Sequence, residues 1–293
     1  PNSKLVQKEL SEAIDKASIK NIVESSDFLQ KAHFSLESAP RAGAWLNAIP
    51  SESSGNKVQG ILFCYMLKRR LREPVFDEAF HCPLCDDVMD VYGDHALVCI
   101  GGGDRISRHN SIRNKDFQFC QSAGLRHQLE KSALRTTSSN ERLRPADIYI
   151  PSFKVGQQAA LNFAVTSGLR NDLILQVTSN YRYATEEYAQ HKRWSLNMDM
   201  LCTTNDIKFI PMIVEGSGGA WGLDAEDVFK VIIKSTASLG GETVSIVSNQ
   251  LYQALPITLH KANARAIFKR LPGQKHIDVV AEAASNLIAE ETQ

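Results

Sequence analysis

The 293-residue chain has no long apolar run; the clearest, Phe209 to Val214, falls far short of the ~20 residues that span a bilayer. No membrane association is expected from it. The opening residues, PNSKLVQKEL, contain no apolar stretch of signal-peptide type, so secretion is not expected either. An initiator Met is also missing, which reads as a processed chain or a piece of a longer one. Cysteine is scarce: six residues are too few for a disulfide scaffold, and Cys64, Cys120 and Cys202 stand apart in apolar settings. That usage suits a reducing compartment, nuclear or cytosolic. Net charge is absent, 33 basic residues cancelling 33 acidic ones, so the overall balance does not argue for nucleic acid. Repeats and low-complexity tracts are lacking too. Hydrophobic content of 43% and charged content of 23% then leave an ordinary soluble chain of one to three domains.

Against that plain background stands HCPLCDDVMDVYGDHALVC, in which Cys82, Cys85, His95 and Cys99 follow the spacing C-x2-C-x9-H-x3-C. A tight Cys-x-x-Cys turn supplies two thiolates, and the return segment adds an imidazole and a third thiolate. That is enough to close a tetrahedral structural Zn²⁺ site. The plainer alternative is a set of buried thiols beside a satisfied histidine. Charge that is absent globally is present locally. Between Gly101 and Pro145 nine basic residues face four acidic ones, a net +5, which is the footprint of a phosphate-contacting surface or simply of a solvated helix. Arg105, Arg108, His109 and Arg113, in RISRHNSIR, are the candidate DNA contacts. His109 also reads as a supplement to the zinc site or as an ordinary helix residue.

The apolar spacing predicts helix over residues 1–36 and 58–72, the latter stopped by Pro74, and again over 105–123. From there the period shortens. ADIYIP (146–151) and AALNFAVTS (159–167) read as strands of a hairpin, and KFIPMIVEG (208–216) as a third strand. Helices are expected over 184–201, over 222–240 with Asp224 as a possible N-cap, and over the C-terminal stretch, broken at Pro256. This is an α+β or α/β core with few strands, preceded by helices and a zinc module. RPAD (144–147) opens the first strand, and with fourteen residues between them the second carries Asn162, so the hairpin brings Asp147 and position 162 to neighbouring places on one face. Two carboxylates there would make a hard-oxygen site for Mg²⁺. Asp147 also reads as a strand-end turn residue. The glycines of EGSGGAWG match neither G-x-G-x-x-G nor the P-loop and are expected to form a turn that packs Trp221.

RPAD followed by ALNFAVTS resembles the PD-(D/E)xK nuclease core. The ordered series of YGDHALVC, GGDRISRHN, RPAD, IVEGSGGAWG and HKANARAIFKRLP is similar to the restriction-like endonuclease domain of site-specific non-LTR retrotransposons, from about Gly43 to about Leu271. The resemblance implies a small mixed sheet flanked by helices and a Mg²⁺-dependent endodeoxyribonuclease that nicks target DNA. It also implies a target duplex as partner, with an associated reverse transcriptase and its RNA. Asp147 matches the family's first metal-binding Asp. Asn162 falls where the family has a second Asp, and an amide oxygen is a poorer, uncharged ligand. The resemblance therefore implies an inactive form, and a deliberate Asp-to-Asn replacement is preferred to a naturally impaired copy. The family lysine is missing at Ala164 and is matched instead by Lys192, four residues after Tyr188, which also reads as a solvated helix lysine. Glu130 is a further candidate acid, and Glu215 a weaker one. The expected divisions are a helical region at 1–75, the knuckle at 76–104, the nuclease core at 105–240 and a helical extension at 241–293. The competing reading takes Asn162 at face value and makes the chain a degenerate module that only binds nucleic acid.

Overall fold

The computed structural model describes residues 3–129, 146–154 and 156–271. The N-terminal helical stretch divides in two, α1 (Ser3–Ser25) and α2 (Phe28–Glu37), because Asp27 starts a new helix. Its carboxylate accepts the Gln30 amide at 2.7 Å while the Gln30 side chain accepts the Asp27 amide at 3.0 Å. This reciprocal cap offsets two unpaired donors and contributes on the order of 1 kcal/mol. A short 3₁₀ turn, Ala44–Asn47, seats Trp45, and α3 (Gly60–Arg70) follows.

The knuckle adds a two-residue-per-strand hairpin, β1 (Phe80–His81) and β2 (Val88–Met89), and a short helix, α4 (Asp94–Val98). Then come α5 (Asp104–Ser122), β3 (Gln128–Leu129), β4 (Ile148–Lys154) and β5 (Gln157–Thr166). A crossover of α6 (Ile174–Val177), α7 (Tyr183–Trp194) and α8 (Met198–Thr203) leads to β6 (Ile207–Glu215). The predicted helix over 184–201 is thus two helices, separated by a 3₁₀ turn and by Asn197 at φ 51°. α9 (Leu223–Gly240) and α10 (Val244–Phe268) complete the described chain.

The four-stranded sheet runs β3-β4-β5-β6, antiparallel except for the parallel β5–β6 pair, so the protein is α+β with a mixed sheet. Alternation along β5 sorts its side chains between two layers. Ala159, Leu161 and Phe163 enter the larger core with Ile210, Met212 and Val214 of β6 and with residues of α5, α9 and α10. Ala160 and Ala164 face the other side, against Cys202, Phe209, Ala189 and Ile213. Their small size lets α7 and α8 lie close to the strands. Asn162 stands between those two alanines and shares their face.

Two expectations change. Asp224 does not cap α9; the N-cap is Gly222, and Asp224 instead pairs with Arg193 at 2.7 Å. The C-terminal helix is not broken at Pro256. Leu251, Leu255 and Leu259 sit in the sheet core, while Ile257, Ala264 and Ile267 sit in the core of the knuckle. α10 is the beam that joins the two, and each of its fully buried Leu or Ile side chains contributes ~1.5–3 kcal/mol. Among the described residues no helix is long and apolar enough to cross a membrane.

One residue of α5 works against the fold. Asp116 is 0% exposed, and neither carboxylate oxygen has a hydrogen-bond partner. Burial pushes its pKa up to about 7. Because the folded value lies above the unfolded one, the folded state binds the extra proton between about pH 4 and 7, and stability falls as pH rises through that window. Asp116→Asn should therefore stabilise the protein, and the gain should grow by roughly 3 kcal/mol between pH 5 and pH 8. Urea unfolding at the two pH values measures it; a gain that does not change with pH would refute the assignment.

Candidate metal centre and adjoining polar cluster

The knuckle brings its four residues together. The ligand atoms of Cys82, Cys85, His95 and Cys99 all lie within 4.8 Å of one another. Cys82 Sγ is 3.9 Å from Cys99 Sγ, Cys99 Sγ is 3.5 Å from Cys85 Sγ, and Cys85 Sγ is 3.1 Å from His95 Nε2. Thiolates held at 2.3 Å around a tetrahedral Zn²⁺ would stand about 3.8 Å apart, so the cluster can hold a metal such as zinc. Cys82 follows β1, Cys85 sits in the turn, His95 lies on α4 and Cys99 ends it.

The supports of this cluster come from residues that composition and spacing did not single out. Asp90 accepts the amides of Tyr92, Asp94 and His95 at 2.8–3.1 Å, fixing the turn that presents His95. Asp94 in turn holds Arg69 and Arg72 of the preceding segment at 2.6–3.1 Å. Burial alone would raise the Cys99 thiol, but the Arg270 guanidinium and the Gly101 amide hold it down at about 6. Arg270 is itself fully buried and braced by Asp104 at 2.8 Å. A side chain at Gly101 would meet the Leu84 carbonyl oxygen at 2.1 Å, so only glycine fits that approach. Nothing in the spacing of the sequence marked Asp90 or Arg270.

A second cluster forms at the mouth of the β4–β5 hairpin. The strand register pairs Ile148 with Leu161 at the start of β4, and Asp147 stands one residue before that pair. The Asp147 amide donates to the Leu161 carbonyl at 2.9 Å, and its Oδ2 accepts the Phe163 amide at 2.6 Å. His109 reaches the same carboxylate from α5, its Nε2 3.4 Å from Oδ2, and that contact raises the imidazole pKa against burial. Lys192 on α7 is half-buried; burial lowers its pKa, and the Asp147 charge raises it in part. Asp147, Asn162, Lys192 and His109 are therefore one neighbourhood, and His109 belongs to it rather than to the knuckle.

The DNA-facing set fares differently. Arg105 is exposed. Arg108 is buried instead, donating to Asn263 Oδ1 at 2.9 Å and to the Leu97 carbonyl at 2.8 Å, where it ties α5 to α10 and to the knuckle. Arg113 is buried as well, with Asn114 Oδ1 at 3.0 Å. Charge counting cannot distinguish an arginine on the surface from one spent inside. Glu130 and the four basic residues that follow it up to Pro145 lie outside the described residues. Glu215 is fully buried and accepts the amides of Gly168, Ser217 and Gly218 at 2.7–3.0 Å, so it shapes the glycine loop. That loop packs Trp221 against Phe229, ring centres 4.9 Å apart, as expected.

Among the described residues the knuckle alone gathers three or more Cys, His, Asp or Glu ligands. Asp147 is the one described carboxylate of the hairpin cluster, and one of its oxygens already accepts an amide. With Asn162 beside it, that donor set does not fit Mg²⁺, which is held by charged oxygens. Comparison with family models, with curated proteins and with solved structures found no match to this chain.

Proposed function

We propose that the chain is a restriction-like (PD-(D/E)xK) DNA endonuclease module, of the kind attached to a retrotransposon reverse transcriptase, and that Asn162 disarms it. The observation that carries this reading is the meeting of Asp147, position 162 and Lys192 at one end of a mixed sheet. A hairpin strand pair, a parallel third strand and a helix laid across them hold those side chains. Lys192 supplies a half-buried cation for the scissile phosphate, and such a group acts more strongly where water is excluded. The zinc knuckle and exposed Arg105 would grip the target duplex, in the nucleus or cytosol.

A second reading rests on Asn162 itself: without a charged pair at the hairpin, the module docks nucleic acid and does no chemistry. Two measurements separate them. Asn162→Asp should gain binding of Mn²⁺ or Mg²⁺ by calorimetry and should nick supercoiled plasmid in Mg²⁺, whereas the chain as it stands should do neither. If the variant acquires neither property, the hydrolytic reading fails and the docking one stands.

A further inference from the structure

The glycine loop borders a cavity that the hydrolytic reading does not use. It measures about 380 Å³, in the range of small-ligand sites, and lies between the loop, α9, α10 and the turn after α2. Four cations, Arg41, Arg182, Lys230 and Lys234, line it with a single carboxylate, Glu226. That carboxylate is already engaged, since Arg182 Nη2 donates to it at 2.8 Å. Lys230 pairs with Asp227 of its own helix at 2.8 Å, both at the surface, while Lys234 is exposed and has no ion-pair partner among the described residues.

Two further features mark the cavity as built. The Arg41 backbone is held at φ 70°, a left-handed conformation that a non-glycine residue adopts at a cost, and its guanidinium lies 3.6 Å above the centre of the Tyr252 ring. Arg41 and Tyr252 thus form a stacked, planar, charged wall. Trp221, which is 4% exposed, also lines the cavity, and its indole N–H has no hydrogen-bond partner.

We propose that this cavity binds a nucleoside phosphate, with the base stacked at the Arg41–Tyr252 wall and the phosphate on Lys230 and Lys234. Bases stack on guanidinium planes as they do on aromatic rings, and an unpaired indole donor has an acceptor to find on a base or sugar. The phosphate is not cradled by the loop as in a P-loop. The amides of Ser217, Gly218 and Gly219 are spent on Glu215, so the charge must come from side chains. Nor is the site part of the hairpin cluster. Arg182 caps α7 ten residues before Lys192, which places the two roughly 15 Å apart along that helix. The inference therefore does not depend on the nuclease reading.

The source of the nucleotide is decided by titrating the full chain with free dAMP and with a 5′-phosphorylated oligonucleotide. Saturable dAMP binding, weakened at least roughly tenfold in Lys230→Glu/Lys234→Glu and in Arg41→Ala, supports the site. Displacement of dAMP by the oligonucleotide assigns it to a strand, and failure to displace assigns it to free nucleotides. Both lysines are exposed, so circular dichroism of the charge-reversed protein should be unchanged. The proposal is overturned if dAMP does not bind, or if the variants bind it as the parent does. It is also overturned if inorganic phosphate or an acidic peptide binds as tightly, because the stacking wall would then have no part.

Discussion

Asn162→Asp should give the chain metal-dependent nicking of DNA, with a rate gain of at least roughly a hundred- to a thousandfold over the parent. That is the scale on which single preorganised electrostatic groups act in active sites. The physical basis is local. The Asp147 carboxylate accepts the amide next to position 162, and the present pair offers a cation one formal charge where the variant offers two. The same substitution carries a cost that can be read independently of activity. Two carboxylates close together on neighbouring strands repel each other, so the metal-free variant should be less stable than the parent by about 1 kcal/mol. Mg²⁺ should restore the loss by binding the folded state alone. Asp147→Asn added to the variant should abolish both the nicking and the Mg²⁺-dependent stabilisation. Lys192→Ala should cut the nicking without removing that stabilisation, since the role proposed for Lys192 is on the phosphate and not on the metal. A variant that nicks equally well without Asp147 would sink the assignment.

How much of this was visible in the sequence depends on what each inference needed. The knuckle was legible because its ligands lie within one short segment, and local spacing nearly dictates local geometry. The β4–β5 hairpin was legible for the same reason, and the Asp147 carboxylate reaches the second strand at the Phe163 amide, next to Asn162. What failed was everything that depends on distant packing. Arg108 looks like a phosphate contact in RISRHN, yet its partner Asn263 is 155 residues away. His109 meets Asp147 only because α5 crosses the end of the sheet. α10 reads as an appended helix, because nothing in its pattern shows that its opposite sides enter two cores. Pro256 suggested a break, but it removes a backbone donor without stopping a helix that packing holds on several sides. Asp116 was invisible for the opposite reason: a buried, unpaired carboxylate is what sequence rules assume does not occur.

Loss of the knuckle's metal should be the most damaging single change to the fold. The described chain should carry one equivalent of zinc, and Cys85→Ala should reduce this to none, measured by atomic absorption. The stake is set by the composition of the surrounding core. Cys82 and Cys99 are counted among the buried residues that pack with Met89, Ala96, Ile257 and Ile267, and the hairpin that presents Cys82 and Cys85 has only two residues per strand. So short a hairpin cannot hold itself together in water, and in comparable small modules the metal supplies on the order of 10 kcal/mol of folding free energy. Without it, three thiols and an imidazole would be left at the foot of α10, and the end of that helix from Ala264 to Ile267 would lose its cover. Chelation should therefore release the knuckle and the last turns of α10 together. Hydrogen exchange should show amides of 94–99 and 264–268 losing protection in step, while those of β5 and β6 stay protected. Binding should also fail on acidification, because protons compete for the three thiolates and for His95. Substitution by Co²⁺ should give the visible bands of a tetrahedral thiolate complex. A chain that is fully folded with three freely titratable thiols and no bound metal would show instead that apolar packing alone brings the four residues together.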